Sequence, residues 1–207
     1  MQYAFAKQVY HSQTFRINFP KTIALVIYCA VLLQKDVYCQ QGWTTDQIKQ
    51  ANTADTVSAL TQVEKDVFIH LNLARLFPAD FIKYELSTYA ANDRNASTLK
   101  QMLTTKQKLV AITWSADMQA TAACLAAEQG PTKRTGHHRK SCVTNYHGEC
   151  ISYGMETGRD IVMQLLLDYN VPDFGHRKIC LANDMNSMGV KDGPHVLNGK
   201  MAVLDFL

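Results

Sequence analysis

From Thr61 onward the apolar positions of the chain fall on a helical repeat. Val63, Val67, Leu71 and Ala74 recur at i, i+4, i+8 and i+11, and Phe68 widens the stripe. Pro78 stops that helix and opens the next, over residues 79–89, because proline is tolerated in a first turn. Residues 91–108 are polar and read as a loop with room for one short helix. Ser115 is placed as the N-cap of a third helix, with Met118, Ala122, Leu125 and Ala126 as a stripe of mostly small residues, and Gly130-Pro131 ends it. Residues 147–154 suit a strand or extended turn between glycines. A further helix covers 159–170, with Ile161, Val162, Leu165, Leu166 and Tyr169 on one face and Pro172 beyond it. Two strands follow, at 187–192 and 200–206. In the second, Ala202, Leu204 and Phe206 alternate against Met201, Val203 and Asp205. No 20–50-residue repeat is present, which excludes a solenoid.

Upstream of this body the pattern changes. Residues 22–33 (TIALVIYCAVLL) are uncharged, with Arg16 and Lys21 before them and Lys35 and Asp36 after. A spanning helix needs about 20 apolar residues, and this run is too short. It suits the core of a signal peptide, so residues 1–39 read as a signal peptide with a long basic region, cut after Val37-Tyr38-Cys39. A buried helix or a short signal anchor is the alternative. Residues 40–60 are rich in Thr, Gln and Ala and read as a polar linker or arm, leaving 61–207 as the domain. The expected product is secreted or periplasmic, with no stable membrane span after cleavage.

Composition is that of a globular chain, 47% hydrophobic and 19% charged over 207 residues. The net charge of +3 comes from 21 basic and 18 acidic residues. Lys7, Arg16, Lys21 and Lys35 against Asp36 account for all of it, so the domain is neutral and no nucleic-acid partner is expected. Export also changes the reading of the cysteines. Without Cys29 and Cys39, four remain: Cys124, Cys142, Cys150 and Cys180. Two disulfides are expected, with three connectivities open. Cys142 and Cys150 are close enough in sequence to staple one loop, which would leave Cys124 with Cys180. Four buried thiols are the alternative.

Five of the seven histidines lie between 137 and 195. Four segments there combine histidine or carboxylate with their neighbours: Gly136-His137-His138, Gly148-Glu149, Leu165 to Asp168, and Gly175-His176-Arg177. Histidine with carboxylate can bind a divalent cation or act as acid and base. No H-E-x-x-H and no paired C-x-x-C is present. Singly, His138 and His147 read as solvated loop residues and Asp168 as an exposed helix end.

The order of these pieces resembles the CAP superfamily, the secreted cysteine-rich, antigen 5 and pathogenesis-related domains, and within it the bacterial secreted branch. That family has a helix, a Gly-His segment, a G-E-N strand, a helix with W-x-x-E and a second Gly-His. Here the corresponding pieces are Thr135-Gly136-His137, Gly148-Glu149-Cys150, Leu165-x-x-Asp168 and Gly175-His176-Arg177. Asn72 and Arg75 stand where its first helix has an asparagine and an arginine, Trp114 resembles the start of its next element, and the likeness spans about residues 62–207. The resemblance implies an α/β (α+β) fold, a three-layer α-β-α sandwich around a central, largely antiparallel sheet. It also implies a cleft tetrad, carried over to His137, Glu149, Asp168 and His176. His138 is an alternative first histidine, but His137 directly follows the glycine. Two departures stand out: Cys150 replaces the asparagine, and Asp168 replaces a glutamate.

The expected function is an exported binding module without catalytic residues. Its partners would be a small ligand, a lipid or an extracellular protein. No cofactor is required, although His137 and His176 could hold zinc or another divalent cation. Ser152 lies near Glu149 without a strand-turn-helix elbow, and no nucleophile is placed beside a histidine and its orienting acid. A metal-assisted hydrolase with Glu149 as general base on a bound water is the second reading. A purely structural tetrad, with function on surface loops, is the third.

Overall fold

The computed structural model of the chain describes residues 42–207. The expected signal peptide, its cleavage site, Cys29 and Cys39 lie outside the described residues. Within them are seven helices and four strands, a mixed α/β fold. Helices α1 (Thr45–Ala51), α2 (Gln62–Leu76), α3 (Pro78–Glu85) and α4 (Arg94–Thr105) come first. Strand β1 (Thr113–Trp114), helix α5 (Ala116–Gln129) and strand β2 (Gly148–Tyr153) follow. Helices α6 (Gly158–Leu167) and α7 (Gly175–Cys180) and strands β3 (Ser187–His195) and β4 (Gly199–Phe206) complete the chain. The strands lie in the order β1-β3-β4-β2. β4 is antiparallel to both neighbours, and only the short β1 pairs in parallel, with β3.

The alternation in β4 builds three layers. Met201 and Val203, with Ile151 of β2, pack on Ala122, Leu125 and Ala126 of α5. Ala202, Leu204 and Phe206 point the other way, into the main core with Cys150, Val190 and the apolar faces of α2 and α6. The small residues of α5 let it lie close to the sheet. Gly189 of β3 is needed there, because a Cβ on it would fall 2.0 Å from the backbone nitrogen of Gln119.

The helix starts follow local chemistry. Thr61 caps α2 in a reciprocal box with Glu64, and Ser115 caps α5 through the Met118 amide. The expected stripes of α2, α5 and α6 face inward. Tyr169 does not, because α6 stops at Leu167 and the ring is left largely exposed with its hydroxyl on Asp93. The expected second helix is shorter than its pattern and ends at Glu85. The polar stretch 91–108 holds a three-turn helix, α4, whose fully buried residues are Ala96, Leu99 and Leu103, with Met102 packed part-buried beside them. Residues 42–60, expected as a linker or arm, instead belong to the body. Trp43 is buried against Phe81 and Tyr84 and donates its indole N–H to Glu85 at 2.9 Å. Ala51 and Ala54 are fully buried in the main core. One tryptophan and two alanines bury enough apolar surface to dock a polar helix.

The cysteines pair differently from the staple between 142 and 150. Cys124 is bonded to Cys142, while Cys150 and Cys180 are thiols. The sheet explains this. Cys142 lies in the loop held along α5, where Glu128 accepts hydrogen bonds from the Lys140 and Ser141 amides. Cys150 faces the opposite side of β2, in the main core.

Buried polar groups tie the layers together. Asn72 bonds both the N–H and C=O of Ile112 and the carbonyl of Ala51. Arg75 donates to the carbonyls of Val110, Cys180, Ala182 and Met185. At the free edge of β2, the Gln164 side chain accepts from the Tyr153 amide at 3.1 Å and donates to its carbonyl at 3.0 Å.

Candidate functional site

His137 lies in the loop between α5 and β2. Gly136 before it has φ +82°, in the left-handed region that favours glycine. The Gly136 amide donates to the Tyr153 hydroxyl at 2.9 Å, and its carbonyl accepts from Gln129, whose own oxygen accepts from Tyr153 at 2.9 Å. This triangle aims His137 over β2. Its Nδ1 meets Oε1 of Glu149 at 2.6 Å. The other Glu149 oxygen is paired with Arg139, whose guanidinium also donates to both oxygens of Asp205, at 2.8 and 3.0 Å. Glu149 and Asp205 are direct cross-strand neighbours, so Arg139 sits between two adjacent buried acids. Its other arm donates to the Thr121 carbonyl, and its plane covers the ring of Tyr146.

His176 stands in the first turn of α7. Its Nδ1 meets Oδ1 of Asp168 at 2.7 Å. Asp168 closes α6 in a left-handed conformation, φ 57°, which aspartate tolerates better than most residues. Its second oxygen accepts from the Arg177 amide at 3.2 Å. Arg177 in turn bonds the carbonyls of Leu166 and Leu167 at the end of α6, and Thr98 of α4. Asp168 is therefore buried and bonded, in contrast to the exposed helix end that its isolated position suggests.

All four tetrad residues converge. The two imidazole centroids are 6.4 Å apart and tilted by 39°. Each ring commits Nδ1 to a carboxylate, which leaves Nε2 for a ligand and assigns the carboxylates an orienting role. Set against known proteins, the chain matches no family model and no curated protein. The likeness in motif order therefore stands on these residues alone. His138 and His147 are exposed loop residues, as read from the sequence. His195 is buried against the Tyr153 ring and bonded to the Arg134 carbonyl.

Charge distributes unevenly over the cluster. The hydrogen bond to Glu149 raises the pKa of His137 above the ordinary imidazole value, against the effect of burial. Burial pushes Glu149 up, but His137 and Arg139 together outweigh it and hold the carboxyl below its usual range. Asp205 is enclosed, and burial with the neighbouring Glu149 charge outweighs the Thr121 and Arg139 contacts and pushes it up to about 6.

A cavity of about 450 Å³ opens beside His176, between the edge of β2 and α6, with Tyr89, Ile151, Met155, Met163 and Tyr169 among its walls. Among the described residues, the group of three metal-type ligands within reach of one another is Cys124, Glu128 and Cys142, and its two sulfurs are already joined to each other. In the tetrad, the Nε2 atoms of His137 and His176 are the ring nitrogens not committed to a carboxylate. Sequence reasoning missed Arg139 and Asp205. Asp205 carried a signal, since it is the one charged residue on the β4 face that otherwise presents Met201 and Val203.

Proposed function

We propose that the chain is an exported, non-enzymatic binding module of the CAP type, with the cleft between His137 and His176 as its ligand site. The observation that carries this reading is the meeting of two carboxylate-backed imidazoles, from a loop and a helix far apart in sequence, at 6.4 Å. A divalent cation such as zinc would be held by the Nε2 atoms of His137 and His176. It would supply a positive centre for an anionic or polar ligand group. The cavity beside His176 gives such a ligand a partly apolar wall, which suits a small amphipathic molecule or a lipid. The Cys124–Cys142 bond favours an oxidising compartment, secreted or periplasmic.

The hydrolase reading finds less support. A general base needs a free oxygen at the reacting centre. Both oxygens of Glu149 are engaged, one by His137 and one by Arg139. Ser152 is buried with its hydroxyl on Gln164, and burial pushes the Cys150 thiol up, so neither is a ready nucleophile.

Calorimetry with zinc tests the site. Wild type should bind and His137→Ala and His176→Ala should abolish the heat. Asp168→Asn should weaken affinity by about 10–100-fold, the usual loss when a supporting carboxylate is removed. Binding should weaken as pH falls through the raised His137 midpoint, above the ordinary imidazole value, because protonated imidazoles do not ligate. Equal, weak heats for wild type and His176→Ala would leave a structural tetrad, and turnover of peptides or esters with the metal would restore the hydrolase.

A further inference from the structure

Cys150 and Cys180 are the two thiols of the main core, 0% and 1% exposed, and their sulfurs are 4.0 Å apart. Each is tied to one half of the cleft. Cys150 directly follows Glu149 on β2, and it is fixed by the sheet opposite Leu204. Cys180 lies one helical turn beyond His176 on α7, on the same face. Its backbone is held too, since its carbonyl accepts from Arg75 at 2.8 Å. The Cys150 thiol already bridges the two elements, donating to the carbonyl of His176 at 3.7 Å. A rotation about each Cα–Cβ bond is the freedom left to such a pair, and bond formation needs the sulfurs to close to about 2.05 Å.

We propose that Cys150 and Cys180 form a second disulfide in the mature protein, and that this bond latches the helix carrying His176 to the strand carrying Glu149. The oxidant is a disulfide of the thiol-exchange class, either a protein oxidoreductase or glutathione disulfide. One cysteine thiolate attacks it, forming a mixed disulfide and expelling one thiolate. The second cysteine thiolate then attacks the mixed disulfide and expels the other. The two protons lost by the cysteines end on the two thiols released, so the oxidant is reduced by two electrons and the pair is oxidised by two. Both sulfurs are closed to solvent in the folded protein, so exchange belongs to the stage before α7 docks. The proposal uses the export reading only for the supply of oxidant. It stands apart from metal binding.

α7 is the element with most to gain. It is six residues long, and its N-cap residue Phe174 makes no side-chain capping bond. Isolated helices of that length are not stable in water. Its position rests on Arg75, Arg177 and the packing of Cys180 and Ile179. A covalent tie at its last residue fixes the angle at which the first turn presents His176.

The test is oxidative refolding of the full chain in a glutathione redox buffer, followed by acid quench, denaturation and alkylation. Trypsin alone leaves Cys142 and Cys150 in one peptide, and chymotryptic cleavage after Tyr146 separates them. The expected map contains Cys150 linked to Cys180 alongside Cys124 linked to Cys142. Recovery of Cys150 and Cys180 as alkylated thiols, with Cys124–Cys142 formed in the same molecules, overturns the proposal. The latch itself is read by amide hydrogen exchange over residues 175–180. Exchange there should be at least ~10-fold slower in the oxidised chain than in Cys150→Ala/Cys180→Ala. Equal rates with the bond present overturn the latch. Should the double variant not fold, wild-type species carrying both bonds and species carrying Cys124–Cys142 alone, separated from the same refolding mixture, provide the comparison.

Discussion

His137 and His176 hold their carboxylates through the same atom and at nearly the same distance, 2.6 and 2.7 Å. The protein around them differs. His137 is a loop residue whose side chain is 56% exposed, and its partner Glu149 sits in a charged cluster with Arg139 and Asp205. His176 is 22% exposed, and its partner Asp168 is a helix terminus whose second oxygen accepts from the Arg177 backbone amide of α7. One half is held by charge, the other by the joint between α6 and α7. A loop has no repeating backbone bonds to position a side chain, so fixed charges and a disulfide do that work. A helix junction supplies the same rigidity from its own backbone, and a single buried aspartate suffices.

The comparison breaks most sharply at Arg139. Arg139→Met leaves Glu149 and Asp205 buried side by side without their shared cation. The expected loss is about 3–5 kcal/mol of stability in denaturant unfolding, the range for stripping one partner from a buried charge cluster. The His137 resonances should shift strongly and those of His176 little. Equal disturbance of both would mean that the halves are not separate.

Gly136→Ala should act on the same half with a smaller effect. No atom lies within 4 Å of the added Cβ, so the cost is the positive φ alone, about 1–2 kcal/mol. Thermal unfolding gives the magnitude, and selective loss of zinc affinity with an unchanged His176 environment gives the location.

The smallest effect is one of pH. His137 should titrate above the ordinary imidazole value, and Glu149→Gln should lower its midpoint, because burial and Arg139 then act unopposed by that carboxylate. Because the folded value is the raised one, the stability contributed by the His137–Glu149 contact is complete below 6.5. It is lost as pH rises through the raised midpoint. NMR titration of the ring protons follows it directly, and a midpoint at or below 6.5 in wild type would remove the contact from the argument.

Much of this arrangement is legible in the chain, and the gaps have physical causes. α2, α5 and α6 could be read because each has a continuous apolar stripe, and the alternation of β4 was visible residue by residue. α4 was not, because Ala96, Leu99, Met102 and Leu103 are its few apolar contacts with the core among polar neighbours. α1 was hidden similarly, since Ala51 is small and Trp43 precedes the helix. The four tetrad residues followed from motif order, but nothing in that order points to Arg139, whose role exists only once β2 and β4 place two acids side by side. The cysteine pairing became readable only once the structure placed Ile151. Cys150 and Ile151 must point to opposite faces of a strand, and Ile151 faces α5. That puts Cys150 out of reach of Cys142.

The amide of Gln164 has a consequence beyond the cleft. By taking both the N–H and the C=O of Tyr153, it stands in for the neighbouring strand that β2 lacks. Outer strands left open invite pairing with another copy of the chain, and that pairing is the first step of edge-to-edge aggregation. One side chain from α6 thus occupies the outer hydrogen-bonding groups of Tyr153, so a strand from another copy could not pair at that residue without displacing Gln164.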